Sequence, residues 1–494
     1  MAQTTIARPQ TFSPAYNPLK FIIDSTNKNL AGFRYIFDVY EAGTANKIAE
    51  YKVLPTFGTG YGEEDLSKLL QSKVSWDLNT ELTSSYGAPN SYFNFDVNIG
   101  EEYVTEVAYT SSLTNASGSV QINVANSFAP GDQVIITQAD GGVANPQLEG
   151  LHTVVSATGS VFVVNVNWST ITDATINGSV SYADKRKTIV RDITELNGNS
   201  VFNGAFRWLD WTVYDKNDYK LNGVTKQWLT NQPTANFHCT LGQDLYLNLQ
   251  NPKGFDRIIF DNSNGSSFYK APSSMDDILQ VPCGPNNYGI LVGAGDLIDN
   301  DTEWYDVYFG SGATLPLQDS VKYRIYIDRR VLISEYHVLF LDRLGSWSSF
   351  AFQLKSYERG EISRDMYNRD VTGYVNASNQ WTYKTEEFGF NTFNLNLIKR
   401  IDLNTNWMTQ EMATYFEELV TSPQTFLKIV NYVTTEDGVP LIDEDGCPIH
   451  IPESTAYQPC IVENNAYEML NQRNKNLMRH SISVRLANQD NING

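Results

Sequence analysis

The clearest pattern of apolar and polar positions lies in the last quarter of the chain. Apolar residues at every second position predict a strand with one apolar face, and these are Phe393, Leu395, Leu397, Ile401 and Leu403. Apolar residues at spacings of three and four predict one stripe of an amphipathic helix, and these are Met412, Tyr415, Phe416, Leu419 and Val420. Thr409 is placed to cap the start of this helix, and Pro423 ends it. Strand patterns resume afterwards, so the sequence predicts a C-terminal strand–helix–strand module.

Most of the remaining chain shows the patterns of β-strands. Residues 338–341 and 350–354 predict a hairpin, with Gly345 relieving its turn. A helix is predicted over Glu63–Val74, because its leucines share one face. Turn signals predict a protruding hairpin over Val433–His450. The predicted fold class is therefore mainly β, with several β-sandwich or barrel modules and a few short helices besides the C-terminal module.

Shifts in composition along the chain predict its domains. Residues from Tyr109 to Asp184 are rich in Val, Thr, Ser, Gly and Asn, and short predicted strands suggest a small barrel or sandwich. Strands of similar character flank this stretch on both sides, which favours an insertion over a domain in series. The predicted division is an extended N-terminal arm (1–19), a discontinuous first β-sandwich (20–108 and 185–250), an inserted small β-domain (109–184), a second β-domain (251–375) and a C-terminal α+β module (376–494).

The charge balance excludes some partners. The 494 residues carry a formal net charge of -20, and charged residues make up 19% of the chain. An acidic chain lacks the basic footprint that wraps nucleic acid, and it disfavours docking on anionic lipid. No Lys or Arg occurs from Val74 to Asp184, and Lys185, Arg186 and Lys187 then follow together. This stretch is either a polar module that happens to lack cations or a surface kept negative to meet a basic partner.

Catalytic and metal motifs are not found in the sequence. The five histidines are scattered without zinc-site spacing, and there is no nucleophile elbow or phosphate-binding loop. The four cysteines form no C-x-x-C pair; Cys447 and Cys460 could close a short loop, but the sequence does not show whether they pair. The expectation is no catalytic, cofactor-binding or metal-binding residue.

Two clusters near residue 300 suggest alternative sites. Oxygen ligands at close spacing can hold Ca²⁺, and the candidates are Asp296, Asp299, Asn300, Asp301 and Glu303. The order of an EF-hand loop is missing, so a solvated acidic turn is favoured. Trp304 and Tyr305 could stack on sugars, although Trp in a β protein more often anchors a core or an interface.

Two segments resemble proteins of a known class. One is Leu339–Phe350, and the other runs from Asn406 through the predicted helix to Pro423 and on to Pro459–Val462 and the last predicted strand, Ser481–Leu486. Together they resemble structural proteins of tailed bacteriophages that infect Bacteroidota hosts, which are tail or minor virion proteins. The resemblance implies a virion component of the tail, baseplate or neck, and such proteins usually form closed rings around the phage axis. The matched positions are core and turn positions, so the resemblance transfers no functional residue.

The first functional hypothesis is a non-enzymatic structural component of a tailed-phage virion, in the tail, baseplate or head-to-tail connector. It would assemble as a symmetric ring-like oligomer. The alternative is a receptor- or glycan-binding virion protein that uses the inserted β-domain, and a third hypothesis is a polysaccharide-degrading tail enzyme.

The expected partners are further copies of the chain and other tail, neck or baseplate proteins, with a host surface glycan as an additional candidate. No membrane span and no sequence-specific binding of nucleic acid are expected. The expected locations are the virion and, during assembly, the cytoplasm of the bacterial host.

Overall fold

The chain folds into two compact units in a computed structural model. Unit 1 comprises residues 1–73 and 93–201, and unit 2 comprises residues 74–92 and 202–494. The structure describes residues 3–30, 32–78, 80, 86–104, 107–109, 113–175, 177–184, 190–219, 226–250, 257–272, 277–289, 291–292, 295–311, 317–330, 334–387, 389–436, 439, 441–442, 449, 456–463, 470–472, 477–487 and 490–491. The five-part division predicted from the sequence is finer than these two units and stays a prediction.

Strands dominate both units, which confirms the predicted β class. The strands up to Phe202 are β1 Gln3–Ala7, β2 Phe12–Pro14, β3 Lys20–Ser25, β4 Arg34–Glu41, β5 Lys47–Val53, β6 Gly62–Asp65, β7 Tyr86–Gly87, β8 Tyr92–Tyr103, β9 Val107–Tyr109, β10 Leu113–Ala116, β11 Ser119–Asn123, β12 Gln133–Gln138, β13 Gly150–Thr158, β14 Val161–Asn167, β15 Gly178–Tyr182 and β16 Val190–Phe202. The later strands are β17 Phe237–Thr240, β18 Tyr246–Gln250, β19 Arg257–Asn262, β20 Ser267–Lys270, β21 Ile278–Pro282, β22 Trp304–Ser311, β23 Leu317–Gln318, β24 Tyr323–Asp328, β25 Ser334–Leu341, β26 Trp347–Phe352, β27 Tyr357–Arg369, β28 Tyr374–Val375, β29 Trp381–Thr382, β30 Gly389–Asn404, β31 Met408–Thr409, β32 Thr425–Asn431, β33 Tyr457–Val462, β34 Leu470–Gln472, β35 Leu477–Arg479, β36 Ser481–Leu486 and β37 Asp490–Asn491.

The described residues contain three α-helices, α1 Ser67–Gln71, α2 Trp208–Thr212 and α3 Gln410–Val420. Single 3-10 turns cover Pro89–Ser91, Trp168–Thr170, Lys216–Asp218 and Thr385–Glu387. The helix predicted over Glu63–Val74 is wrong in its first part, because Glu63, Glu64 and Asp65 pair with β3 as part of β6. No described helix is long and apolar enough to cross a membrane.

Unit 1 is built from three sheets. A five-stranded sheet has the order β2-β16-β8-β4-β5, and a three-stranded sheet has the order β1-β3-β6. The third sheet has seven strands in the order β10-β11-β14-β13-β12-β15-β9 and encloses a hydrophobic core of its own. In that core Phe128 packs edge-on against Phe162 and Tyr182. The strand at the N-terminus, β1, is paired antiparallel with β3.

Unit 2 has a large core that lies between sheets and α3. A six-stranded sheet contains β17, β24, β22, β19 and β20 in that order, with β23 paired to β22. An eight-stranded sheet runs β26-β25-β32-β33-β36-β30-β27, with β37 paired to β30. The apolar stripe of α3 packs into the core through Met412, Tyr415, Phe416 and Leu419. Burial of these side chains stabilises the fold of unit 2.

The predicted C-terminal module is confirmed. Strand β30, helix α3 and strand β32 follow one another along the chain. Thr409 caps the helix, since its side chain accepts a hydrogen bond from the backbone N–H of Met412 at 3.3 Å. The helix ends at Val420, three residues before Pro423.

The predicted hairpin is confirmed as β25 paired antiparallel with β26. Its turn contains Gly345 at a φ of +89°, a region that L side chains rarely adopt. A Cβ at this position would lie 2.5 Å from the backbone oxygen of Asn203. The second predicted hairpin, Val433–His450, lies largely outside the described residues. The described part includes a hydrogen bond of 2.7 Å from the N–H of Val433 to the oxygen of Ile449.

Candidate interaction surface

Two long strands form a ribbon that leaves the core of unit 2. We define the ribbon as residues 357–402, which contain β27, the short pair β28–β29 and most of β30. Strands β27 and β30 pair antiparallel from Tyr357 with Asp402 to Arg369 with Gly389. All thirteen residues of β27 are exposed, so neither face of that strand is covered. At about 3.3 Å per residue the pair extends for about 40 Å.

The ribbon concentrates exposed apolar side chains. Eleven large apolar residues are exposed among the ribbon residues that the structure describes, and these are Tyr357, Ile362, Met366, Tyr367, Val371, Tyr374, Val375, Trp381, Tyr383, Phe390 and Phe393. The most exposed of them is Phe390 at 76%. The rings of Tyr367 and Phe393 contact each other at 6.2 Å across the strand pair. Clustered apolar surface of this kind is typical of interaction sites, whereas singly scattered residues are not.

The charges of the ribbon are nearly balanced. Residues 357–402 hold six basic and seven acidic side chains, although the whole chain carries a net charge of -20. Arg400 pairs with Glu361 and also with Glu463, the latter at 2.6 Å. Arg359 pairs with Asp402 at 2.8 Å, and its side chain is 70% exposed. The ribbon therefore adds little to the long-range repulsion between two acidic chains.

The outer edge of β27 is open, since β27 is the last strand in its sheet and no described strand pairs with that edge. An open edge presents unpaired backbone N–H and C=O groups that can add a further strand. A bulge between Asp365 and Met366 bends the pair near its middle. The ribbon thus offers both apolar side chains and backbone hydrogen-bonding groups.

Sequence reasoning found the strand but not its exposure. The alternating apolar face of β30 runs from Leu403 and Ile401, which are buried, through half-buried Leu397 to Phe393, which is 64% exposed. The alternation of apolar and polar residues is the same at the buried end of β30 and at its exposed end. The signal that could have indicated exposure lies in the sequence of β27, where most residues are polar and only a few are apolar.

The acidic cluster that was weighed as a Ca²⁺ site forms a hydrogen-bonded turn. Asp299 accepts a hydrogen bond of 2.6 Å from Thr302 Oγ1 and bonds of 2.8 Å from Asn264 Nδ2. Arg329 donates to the backbone oxygens of Asp299 and, at 3.1 Å, Thr302. Asp296, Asn300, Asp301 and Glu303 are exposed. No group of three or more His, Cys, Asp or Glu side chains among the described residues is placed to hold a metal ion.

The aromatic pair near residue 304, which was weighed as a sugar platform, is not an open aromatic surface. Tyr305 is fully buried, and its hydroxyl donates to the backbone oxygen of Cys283 at 2.7 Å. The guanidinium of Arg324 lies 3.6 Å from the centre of the Trp304 ring, which covers that face by a cation–π contact.

The described cysteines are buried, whereas the described histidines range from buried His337 and His480 to His238, which is exposed on β17. His337 contacts Glu335 at 2.8 Å and Thr240 at 3.2 Å. His480 stacks on Phe416, and burial lowers the pKa of its imidazole. Cys239, Cys283 and Cys460 are free and buried. His450 and Cys447 lie outside the described residues, so pairing of Cys447 is not described.

Comparison with known proteins gives no close relative. No family model and no curated protein matches the chain. Among solved structures, the chain matches one chain of the 6-fold symmetrised cryo-EM structure of the anti-feeding prophage baseplate, with 12% identity and a TM-score of 0.15, over 33% of this chain and 95% of that chain. It also matches the crystal structure of Salmonella alpha-2-macroglobulin reacted with methylamine, with 9% identity and a TM-score of 0.13, over 99% of this chain and 33% of that chain. At these TM-scores neither match carries an argument about fold or function.

Proposed function

We propose that this chain is a non-enzymatic structural component of a tailed-phage virion, in the tail, baseplate or head-to-tail connector. The observation that carries the proposal is the ribbon, with its eleven exposed large apolar side chains. Exposing so much apolar surface is unfavourable in water, and covering it on assembly contributes stability. The resemblance of residues 339–350 and 406–423 to phage structural proteins supplies the biological setting.

The partner of the ribbon is a second copy of the same chain. Two chains of net charge -20 repel each other, and the nearly neutral ribbon adds little to this repulsion. The two faces of a ribbon about 40 Å long have a surface area on the order of 800 Å². Each partner buries about this area at a protein–protein interface of standard size. The open edge of β27 adds backbone hydrogen bonds to this contact.

The assembly is a symmetric ring. A ring forms when the ribbon of one copy binds a different surface of the next copy and the rotation closes. Other tail, neck or baseplate proteins then bind the finished ring. The protein is located in the virion and, before assembly, in the cytoplasm of the bacterial host.

Native mass spectrometry of the full-length protein tests this proposal. We expect one discrete closed oligomer at micromolar concentration. Phe390→Lys, at a ribbon position that is 76% exposed, should shift the protein to monomers, because it places a charge in the apolar contact. Val143→Lys, at an 82% exposed position in unit 1, is the matched control and should leave the mass unchanged. A wild-type monomer, or equal behaviour of both variants, would contradict the proposal.

The absence of catalysis is tested separately. Incubation of the purified protein with host capsular polysaccharide should release no new reducing ends. Release of reducing ends would favour the hypothesis of a polysaccharide-degrading tail enzyme.

The alternative of glycan binding by the inserted domain is less well supported. Sugars bind through exposed aromatic faces, and Tyr109, Phe128, Phe162 and Tyr182 are buried in the core of the seven-stranded sheet. Trp168 is partly buried against the same core.

A further inference from the structure

A second exposed apolar surface of unit 2 lies around helix α2. Outside the ribbon, five large apolar residues among those that the structure describes are 72% exposed or more, and three of them lie in α2 or directly after it. These three are Trp208 at 72%, Leu209 at 83% and Val213 at 75%. We define the α2 surface as residues 205–219. Large apolar side chains that are clustered and exposed in this way mark an interaction site.

The α2 surface is fixed on the rest of unit 2. Arg207, directly before the helix, lies 3.4 Å from Glu417 of α3. Behind the helix, the ring of Tyr214 contacts the ring of Phe206 at 4.9 Å and stacks on Trp211 at 5.4 Å. Because these contacts hold the helix before any partner binds, docking on the α2 surface costs little backbone conformational entropy.

The exposed apolar area of the α2 surface suits one side of a protein–protein interface. Trp208, Leu209 and Val213 together expose on the order of 400 Å². At an interface of standard size each partner buries about 800 Å², of which about 57%, or roughly 450 Å², is apolar. The three side chains therefore supply most of the apolar area that one partner contributes.

The α2 surface and the ribbon carry complementary charges. Arg364 and Arg369 of β27 are exposed, and neither forms an ion pair with a residue that the structure describes. On the α2 surface, Asp210 and Asp218 are exposed carboxylates that likewise have no cationic partner among the described residues. Opposite charges on two surfaces favour their encounter and orient the contact.

A closed ring needs two different surfaces on each copy, because its contacts run head to tail. We propose that the α2 surface of one copy binds the ribbon of the next copy. This inference rests on the proposed function and names the surface that the ribbon binds. The exposed apolar side chains of the α2 surface pack on those of the ribbon, and its carboxylates pair with the free arginines of β27. Both surfaces belong to unit 2, so one unit supplies both sides of the contact.

Native mass spectrometry of two variants and of their mixture tests the proposal. Leu209→Lys places a charge in the α2 surface and leaves the ribbon intact, whereas Phe390→Lys does the reverse. Each variant alone should be a monomer at micromolar concentration. In an equimolar mixture, the α2 surface of Phe390→Lys can still bind the ribbon of Leu209→Lys. With one variant labelled by a heavy nitrogen isotope, we expect a complex of one copy of each and nothing larger.

Two controls separate loss of contact from loss of fold. Val213→Lys changes a second exposed position of the α2 surface and should behave as Leu209→Lys does, with both variants keeping the urea midpoint of the wild type. Val143→Lys, at an 82% exposed position in unit 1, should keep the wild-type mass.

The outcomes distinguish this proposal from the proposed function. If Leu209→Lys alone keeps the wild-type oligomer, the α2 surface is not part of the contact; the proposal is then overturned, while assembly through the ribbon stands. If both variants are monomers and their mixture forms no two-chain complex, the two surfaces do not bind each other and the proposal is again overturned. An oligomer that persists in Phe390→Lys would contradict assembly through the ribbon, and this inference with it.

Discussion

Asp342 accepts hydrogen bonds that hold the turn of the β25–β26 hairpin. The loss of stability on replacing it by Asn follows from the hydrogen bonds that the substitution removes. Asp342 is 3% exposed. One carboxylate oxygen accepts the backbone N–H groups of Leu344 and Ser346, both at 2.9 Å. The other accepts Thr230 Oγ1 at 2.6 Å and the backbone N–H of Asn231 at 3.2 Å.

Asp342→Asn retains one oxygen and replaces the other by an NH2 group. The retained oxygen can still accept the two backbone N–H groups of the turn. The NH2 group faces the N–H of Asn231, so two donors meet and that N–H is left unpaired. The expected loss is about 1–3 kcal/mol in the free energy of unfolding of unit 2.

The dependence on pH makes this prediction sharper. Burial raises the pKa of Asp342 to about 7; the hydrogen bond from Thr230 opposes this shift and the charge of Glu418 adds to it. In the unfolded chain the pKa is about 3.9. Between these values the folded state binds the proton and the unfolded state does not, so stability falls as pH rises, by at most about 1.4 kcal/mol per pH unit. Asp342→Asn removes this slope.

The assay is urea unfolding followed by tryptophan fluorescence at pH 5 and pH 8. Eight of the nine tryptophans lie in unit 2, so the signal reports mainly on that unit. The deficit of Asp342→Asn should be largest at pH 5 and should shrink or vanish at pH 8. Asp301→Asn, at an exposed position, is the control and should stay within about 0.5 kcal/mol of the wild type. A deficit that is the same at pH 5 and pH 8 would refute the reasoning, because it would mean that the four donors keep the carboxylate ionised at both pH values.

Three further changes in unit 2 can be measured by the same unfolding assay. Thr409→Ala removes the N-cap of α3 and should cost about 1 kcal/mol, and no loss would mean that the cap is unimportant. Lys428→Met leaves Asp244 without its buried partner at 2.7 Å and should cost about 3–5 kcal/mol, whereas a gain would contradict a structural role of the pair. Gly345→Ala forces a side chain into a left-handed turn and against Asn203, and should cost about 2 kcal/mol or more; a neutral result would contradict the turn geometry.

Local signals predicted some elements well. Helix α3 was predictable because its apolar spacing, its Thr409 cap and the nearby Pro423 all lie within a few residues of one another. The β25–β26 hairpin was predictable for the same reason, since Gly345 marks a turn between two apolar runs. Where local signals agree with the tertiary fold, the sequence is sufficient.

Non-local pairing explains what the sequence could not show. Residues 63–65 have a helical pattern, yet they complete the sheet beside β3, whose residues lie some forty positions earlier in the chain. The alternation of β30 does not reveal where the strand leaves the core, because that depends on how far β36 extends beside it.

Amide hydrogen exchange along the ribbon tests the central claim most directly. The full-length protein is compared at a dilute concentration, where it is monomeric, and at a concentration where native mass spectrometry finds the oligomer. Assembly through the ribbon predicts slower exchange for amides of residues 357–369 in the oligomer, because the open edge and the apolar faces of β27 become covered. If an oligomer forms while these amides exchange at the same rate as in the monomer, the ribbon is not the assembly surface and the account is contradicted.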